Sequence, residues 1–109
     1  MNQIEKITET ILKFRDERDW EQFHNPKDLA VALNVEAGEL LEHFLWKDAD
    51  EADPDKVREE LADVLNYSFL FAEKYGLDIE EIMLEKIKSN AKKYPSEKVK
   101  GSAKKYSEL

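Results

Sequence analysis

The 109-residue chain is 41% apolar and 39% charged, with three glycines, three prolines and a formal net charge of −8. A chain of this size forms one small domain with a limited core, and its abundance of Glu, Lys, Leu and Ala favours an all-α fold over a β-sandwich. The absence of cysteine excludes disulfides and thiolate metal sites. The N-terminus lacks the order of a secretory signal, no apolar run approaches the ~18 residues of a membrane span, and a cytoplasmic protein without membrane contact is expected. Residues 1–85 hold 9 Lys/Arg and 23 Asp/Glu, net −14, whereas residues 86–109 hold 8 Lys and 2 Glu, net +6. An acidic body argues against nucleic acid as a partner. The basic final quarter suits either a small phosphorylated ligand or a solvated lysine-rich helix end.

In chain order, Ile4, Ile7, Ile11 and Phe14 recur at helical spacing and predict an amphipathic helix to about residue 18, with Glu5, Lys6, Lys13, Arg15 and Asp16 on its outer faces. The period is lost in Arg18-Asp19-Trp20-Glu21-Gln22-Phe23-His24, read as a loop whose aromatic rings either cover the core or meet a ligand. Asn25-Pro26 carries an N-cap followed by a proline suited to the first helical position. At about 100° per residue, Leu29, Leu33, Leu40 and Phe44 form the inward arc of this second helix. Glu36 and Glu39 lie on the margin of that arc, with His43 between them in angle. Val31, Leu45 and Trp46 fall outside it. The helix is expected to end in the acidic stretch 47–52.

Asp53-Pro54 repeats the start signal for a third helix. Val57, Leu61, Val64, Leu65, Ser68, Phe71 and Ala72 form its inward arc. Glu60 and Asp63 lie at its edge, with Tyr67 between them. Phe69 and Leu70 fall off the arc, so two helices carry a second apolar face, and an oligomer follows as the expectation. Gly76 suits the close of this helix, and Asp78 with Glu81 suits the start of a fourth. The fourth helix shows Ile79, Ile82, Met83 and Ile87 on one stripe. Lys86, Asn90 and Lys93 continue that sector, where they either meet a phosphate and a sugar or outrun the core into water. Tyr94-Pro95 stops it. The domain is thus expected to span residues 1–95, followed by a lysine-rich tail, 96–109, helical at most over 103–109.

Chemistry is concentrated in the acids. Glu36 and Glu39 are three residues apart, as are Glu60 and Asp63, so each pair shares one helix face. Packed together, four carboxylates repel unless a hard cation lies among them, which points to Mg²⁺ with Mn²⁺ as a possible substitute. Glycine-rich phosphate loops, zinc-helix histidine spacing, nucleophilic triads and the EF-hand rhythm are all absent. Metal-assisted phosphoanhydride hydrolysis remains as the leading reading.

The pattern E-x-x-E, 20 residues, E-x-x-D resembles the MazG-like superfamily of all-α nucleoside triphosphate pyrophosphohydrolases. Over residues 18–95, RDWEQFHNPKDLAVALNVEAGELLEHFLW and EELADVLNYSFLFAEKYGLDIEEIMLEKIKSNAKKYP are similar to its dCTP pyrophosphatase branch. The resemblance implies a four-helix arrangement assembled into dimers or tetramers. It also implies cleavage of a nucleoside triphosphate between the α and β phosphates. By similarity Glu36, Glu39, Glu60 and Asp63 ligate the metal, with Glu36 or Glu39 as the catalytic base. Trp20 and Trp46 line the base pocket, and Lys86, Asn90, Lys93 and Tyr94 meet sugar and phosphates, with Tyr67 nearby. Two alternatives stay open: a phosphoribosyl-ATP or dUTP hydrolase of related fold, and a non-enzymatic metal-binding helical oligomer that mediates partner contacts.

Overall fold

The computed structural model describes residues 1–108, and among these every regular element is helical. Helices α1 (Gln3–Glu17), α2 (Pro26–Glu42), α3 (Pro54–Lys74) and α4 (Ile79–Lys93) are joined by short connections, and a single-turn α5 (Ser96–Val99) follows. The chain divides into two compact units, Met1–Leu77 and Asp78–Leu109. The all-α expectation therefore holds.

Local chemistry sets the helix starts. The Asn2 side chain accepts from the Glu5 N–H, Asn25 from Asp28, Asp53 from Asp55 and Asp78 from Glu81, at 2.8 to 3.0 Å. Each satisfies a backbone donor that the first helical turn leaves without a partner. At the end of α3, Gly76 adopts φ +62°. The Gly76 and Leu77 N–H groups reach back to the Glu73 and Ala72 carbonyls at 3.0 and 2.9 Å. This is the paired arrangement that a residue without a Cβ closes most easily.

In the first unit α2 packs against α3 as an antiparallel hairpin, and α1 lies along the other side of α3. Only three apolar side chains are buried among the described residues: Leu29, at 1% exposure, Leu70 and Ala72. The facing arcs differ from those expected. On α1, Ile4, Thr8, Ile11 and Leu12 turn inward and end at the buried Arg15, while Ile7 and Phe14 are about half exposed. On α3, Leu70 is buried, while Leu61 and Leu65 remain open. The reason is that α3 has a neighbour on two sides, so its covered face is rotated toward α1. Leu70 thereby belongs to the protomer's own interior, not to a second apolar face.

The second helix ends before the acidic stretch. From His43 to Lys47 the backbone N–H groups reach carbonyls three residues back (His43 to Leu40, Phe44 to Leu41, Leu45 to Glu42, Lys47 to Phe44), a tightening that terminates an α-helix. Trp46 then takes φ +61° and is 99% exposed. Phe44, Leu45 and Trp46 thus leave the helical wheel on which the sequence placed them. A one-turn 3₁₀ segment, Ala49–Glu51, precedes α3, and Glu51 Oε1 accepts the Asp48 N–H at 3.1 Å.

In the second unit α4 has no buried residue. Ile82, Met83 and Ile87 are exposed to 39%, 57% and 60%. Beyond Pro95 the chain makes the α5 turn and a 3₁₀ turn at Tyr106–Glu108. The Tyr106 ring stands edge-on to Tyr94 at 6.0 Å and lies 5.1 Å from Lys93 Nζ. The tail thus has a helical turn at Ser96–Val99, where none was expected, and over 103–108 only the 3₁₀ turn; Leu109 lies outside the described residues.

Candidate active site

The hairpin of α2 and α3 brings the acids together. Glu36, Glu60 and Asp63 each offer a ligand oxygen, and these oxygens all lie within 4.8 Å of one another. Glu36 Oε2 and Glu60 Oε2 are buried without a hydrogen-bond partner. His43 Nε2 stands 3.9 Å from Glu60 Oε1 on the α2 side. Burial first, then contact with the Glu60 and Glu39 carboxyls and their negative charge, pushes the Glu36 carboxyl up to about 7. Two buried oxygens without a donor, within an all-oxygen set, match the demands of a hard divalent cation. Glu39, the fourth acid, is half-buried beside Glu36 and outside the three-acid cluster. A second acid group, Asp48, Asp50 and Glu51, is exposed.

Asp63 also forms part of the wall of a cleft of about 580 Å³ between α1 and α3, a volume in the range of small-molecule sites. From α3 come Asp63, Asn66, Tyr67 and Leu70, and from α1 come Lys6, Ile7, Thr10, Ile11, Phe14 and Arg15. Trp20 and His24, from the connection to α2, complete it. An ion pair of 3.2 Å between Arg15 and Glu73 fastens the last turns of α1 and α3 together, and Lys6 and Asp63 both line the cleft nine and ten residues earlier. The two helices therefore run in the same direction, and the cleft has two chemical ends about 13 Å apart. One end holds Lys6, Thr10, Asp63 and Asn66. The other holds Phe14, Trp20 and Leu70.

The aromatic end is braced. Trp20 meets Phe14 edge-to-face at 5.8 Å, and the Arg18 guanidinium lies 3.6 Å above the Phe14 ring. Tyr67 is half-buried, and burial followed by the charges of Glu36, Asp63 and Glu39 raises its pKa, so its phenol stays a neutral donor. His24 is held toward its neutral form by burial and by the cations Arg15 and Lys74. Its Nδ1 is buried and unpartnered.

Of the residues singled out from sequence, Glu36, Glu60 and Asp63 converge, Glu39 adjoins them, and Trp20 and Tyr67 line the cleft. Trp46 is exposed and does not line the cleft. Lys86, Asn90, Lys93 and Tyr94 belong to the second unit, all exposed except the half-buried Tyr94. Sequence reasoning missed Arg15, Asn66, Lys6 and Thr10. Asn66 had a signal, standing three residues beyond Asp63 on the same helix face.

The chain matches the MazG-like family over residues 31–109. It is 39% identical over 100 residues to dCTP pyrophosphatase 1 of Bos taurus, covering 84% of this chain and 59% of that protein. It is also 39% identical over 114 residues to dCTP pyrophosphatase 1 of Homo sapiens, covering 97% and 67%. The chain thus spans about three-fifths to two-thirds of the length of these relatives. A crystal structure of a pyrophosphatase from Archaeoglobus fulgidus superposes with a TM-score of 0.81 at 34% identity, over 87% of this chain and 94% of that one. Matched over most of its length by family, by sequence relatives and by a solved structure, the chain belongs to the MazG-like family.

Proposed function

We propose that the chain is a Mg²⁺-dependent nucleoside triphosphate pyrophosphohydrolase. It would cleave between the α and β phosphates of dCTP or a modified dCTP to give the nucleoside monophosphate and pyrophosphate. The observation that carries this reading is the continuity of the acid cluster with the cleft: Asp63 belongs to both. A triphosphate held at the acid end can extend its base toward Phe14 and Trp20. The likeness to two dCTP pyrophosphatases supports cytosine as the base.

Glu36, Glu60 and Asp63 would hold the cation, Mg²⁺ or Mn²⁺, which when bound supplies charge neutralisation and Lewis-acid polarisation at the phosphates. Glu39, beside Glu36 but outside the three-acid set, is the carboxylate left to accept a proton from the attacking water. Lys6 places a cation, and Tyr67 a neutral phenol, where the phosphates and sugar would lie. Trp20 offers a ring face or edge to the base. Lys86, Asn90, Lys93 and Tyr94, in the basic second unit, are proposed to bind sugar and phosphate groups.

Exposed Val35, Leu41, Leu61 and Leu65 on the α2–α3 hairpin support a homo-oligomer, and we propose a tetramer. Trp46, exposed on its own protomer, would then serve the base pocket of a neighbouring copy. No described helix is long and apolar enough to cross a membrane, and a cytoplasmic enzyme acting on the free nucleotide pool is proposed. The reading is tested by pyrophosphate release from a panel of canonical and modified triphosphates, with Mg²⁺ and with EDTA. Metal-dependent release concentrated on cytosine deoxynucleotides is expected. A flat response across the panel would remove the enzymatic reading.

A further inference from the structure

Arg15 is the most buried charged side chain described, 5% exposed. Its Nε donates to Asp16 at 2.8 Å, one terminal nitrogen pairs with Glu73 at 3.2 Å, and the other with Glu21 at 3.4 Å. Lys74 Nζ pairs with the second oxygen of Glu21 at 3.3 Å. The Arg15 carbonyl accepts the Trp20 N–H at 3.1 Å. One residue thus ties three segments: α1, the 18–24 connection through Glu21 and the Trp20 backbone, and α3 through Glu73. Burial alone would lower the guanidinium's pKa, but its three acidic neighbours outweigh that and raise it, so the charge is kept.

The connection held by this clasp carries Trp20 and His24, both of which line the cleft. It also contains Asp19 at φ +53°, in the left-handed region that Asp enters more readily than most side chains. Arg15 itself lines the cleft, but each of its three guanidinium nitrogens already faces a carboxylate of the protein. Its carboxylate partners make it a fastening at the aromatic end of the cleft.

We propose that Arg15 is a positioning residue: through Glu21 and Glu73, its side chain sets the place of Trp20 and thereby the affinity of the cleft for the base. The link to affinity rests on the reading of the cleft as a nucleotide site, whereas the link to Trp20 does not. Trp20 and Trp46 are the two tryptophans of the chain, so Trp46→Phe leaves Trp20 as the sole indole. In that background, acrylamide quenching of Trp20 fluorescence is compared with and without Arg15→Met. Quenching is expected to rise, because the ring swings away from Phe14. With Trp46 intact, Arg15→Met is expected to raise KM for the preferred triphosphate about tenfold while kcat stays within about twofold, the mark of lost binding unconnected with the chemical step.

Glu21→Gln provides a second variant, because it loosens the connection yet leaves Arg15 paired with Asp16 and Glu73. A smaller change in the same direction is expected, and it decides the matter if Arg15→Met does not fold. Unchanged Trp20 quenching in the folded variants would overturn the proposal, whatever happens to melting temperature. A quenching change with KM unmoved, or a loss confined to kcat, would overturn it as well and reduce Arg15 to a structural tie. Should the parent hydrolyse no triphosphate, the functional reading fails by itself, and the quenching experiment alone decides whether Arg15 holds Trp20.

Discussion

Replacing Glu36 by Gln should make the metal-free protein more stable at pH 8, although the residue belongs to the proposed active site. In the folded chain the Glu36 carboxyl is raised from its ordinary 4.5 to about 7. A raised carboxyl favours the fold while protonated. That contribution is fully present below about pH 4.5 and is lost as pH rises through 7, where the folded protein must carry the charge. At about 1.4 kcal/mol per pH unit the full shift corresponds to roughly 3.4 kcal/mol. Glu36 is only partly buried, so solvent screening reduces the expected gain to about 1–2 kcal/mol. For a domain of this size that gain raises the melting temperature by roughly 4–10 °C. The assay is thermal unfolding in EDTA at pH 5 and pH 8, followed by titration of Mg²⁺. Glu36→Gln should melt above the parent at pH 8, show little advantage at pH 5, and lose the stabilisation that Mg²⁺ gives the parent. A variant that melts below the parent at pH 8, or by the same margin at both pH values, would refute the reasoning.

Three further outcomes follow from the same geometry. Glu39→Gln should keep its fold and lose turnover by at least about a hundredfold, measured by pyrophosphate release; activity within about twofold of the parent would remove Glu39 as the base. His24 is kept neutral, with its pKa lowered by burial and by Arg15 and Lys74, so its protonation opposes the fold as pH falls below its ordinary 6.5. His24→Gln should therefore flatten the acid side of the stability profile, and a profile identical to the parent's would contradict that. A Cβ added at Gly38 would meet nothing within 4 Å, so Gly38→Ala should stabilise the single chain by about 0.5–1 kcal/mol in unfolding measurements. A destabilisation would mean that another copy of the chain packs on that face.

What the sequence disclosed was what local rules govern. Asn25-Pro26 and Asp53-Pro54 start helices because a cap and a proline act within one turn of themselves. The acid pairs were legible because i,i+3 spacing fixes a shared face, and the hairpin of α2 and α3 then brought three of the four acids within ligand distance. Non-local partners were not legible. Arg15 looked like a solvated charge on an outer face, yet its burial depends on Glu73, 58 positions away. The end of α2 was misjudged because Phe44, Leu45 and Trp46 continue an apolar pattern while the backbone tightens and Trp46 turns to positive φ. On α3, Leu61 and Leu65 scored as inward by periodicity alone. Which apolar face is covered depends on where α1 lies, and that is decided by tertiary packing.

The measurement that tests the central claim most directly is ³¹P NMR of the products formed from dCTP in the presence of Mg²⁺. Cleavage between the α and β phosphates, with the acid cluster holding the metal at one end of the cleft, predicts dCMP and pyrophosphate in equal amounts, and only the resonances of unchanged dCTP when EDTA replaces the metal. Formation of dCDP with inorganic phosphate, or unchanged dCTP in the presence of the metal, would contradict the account.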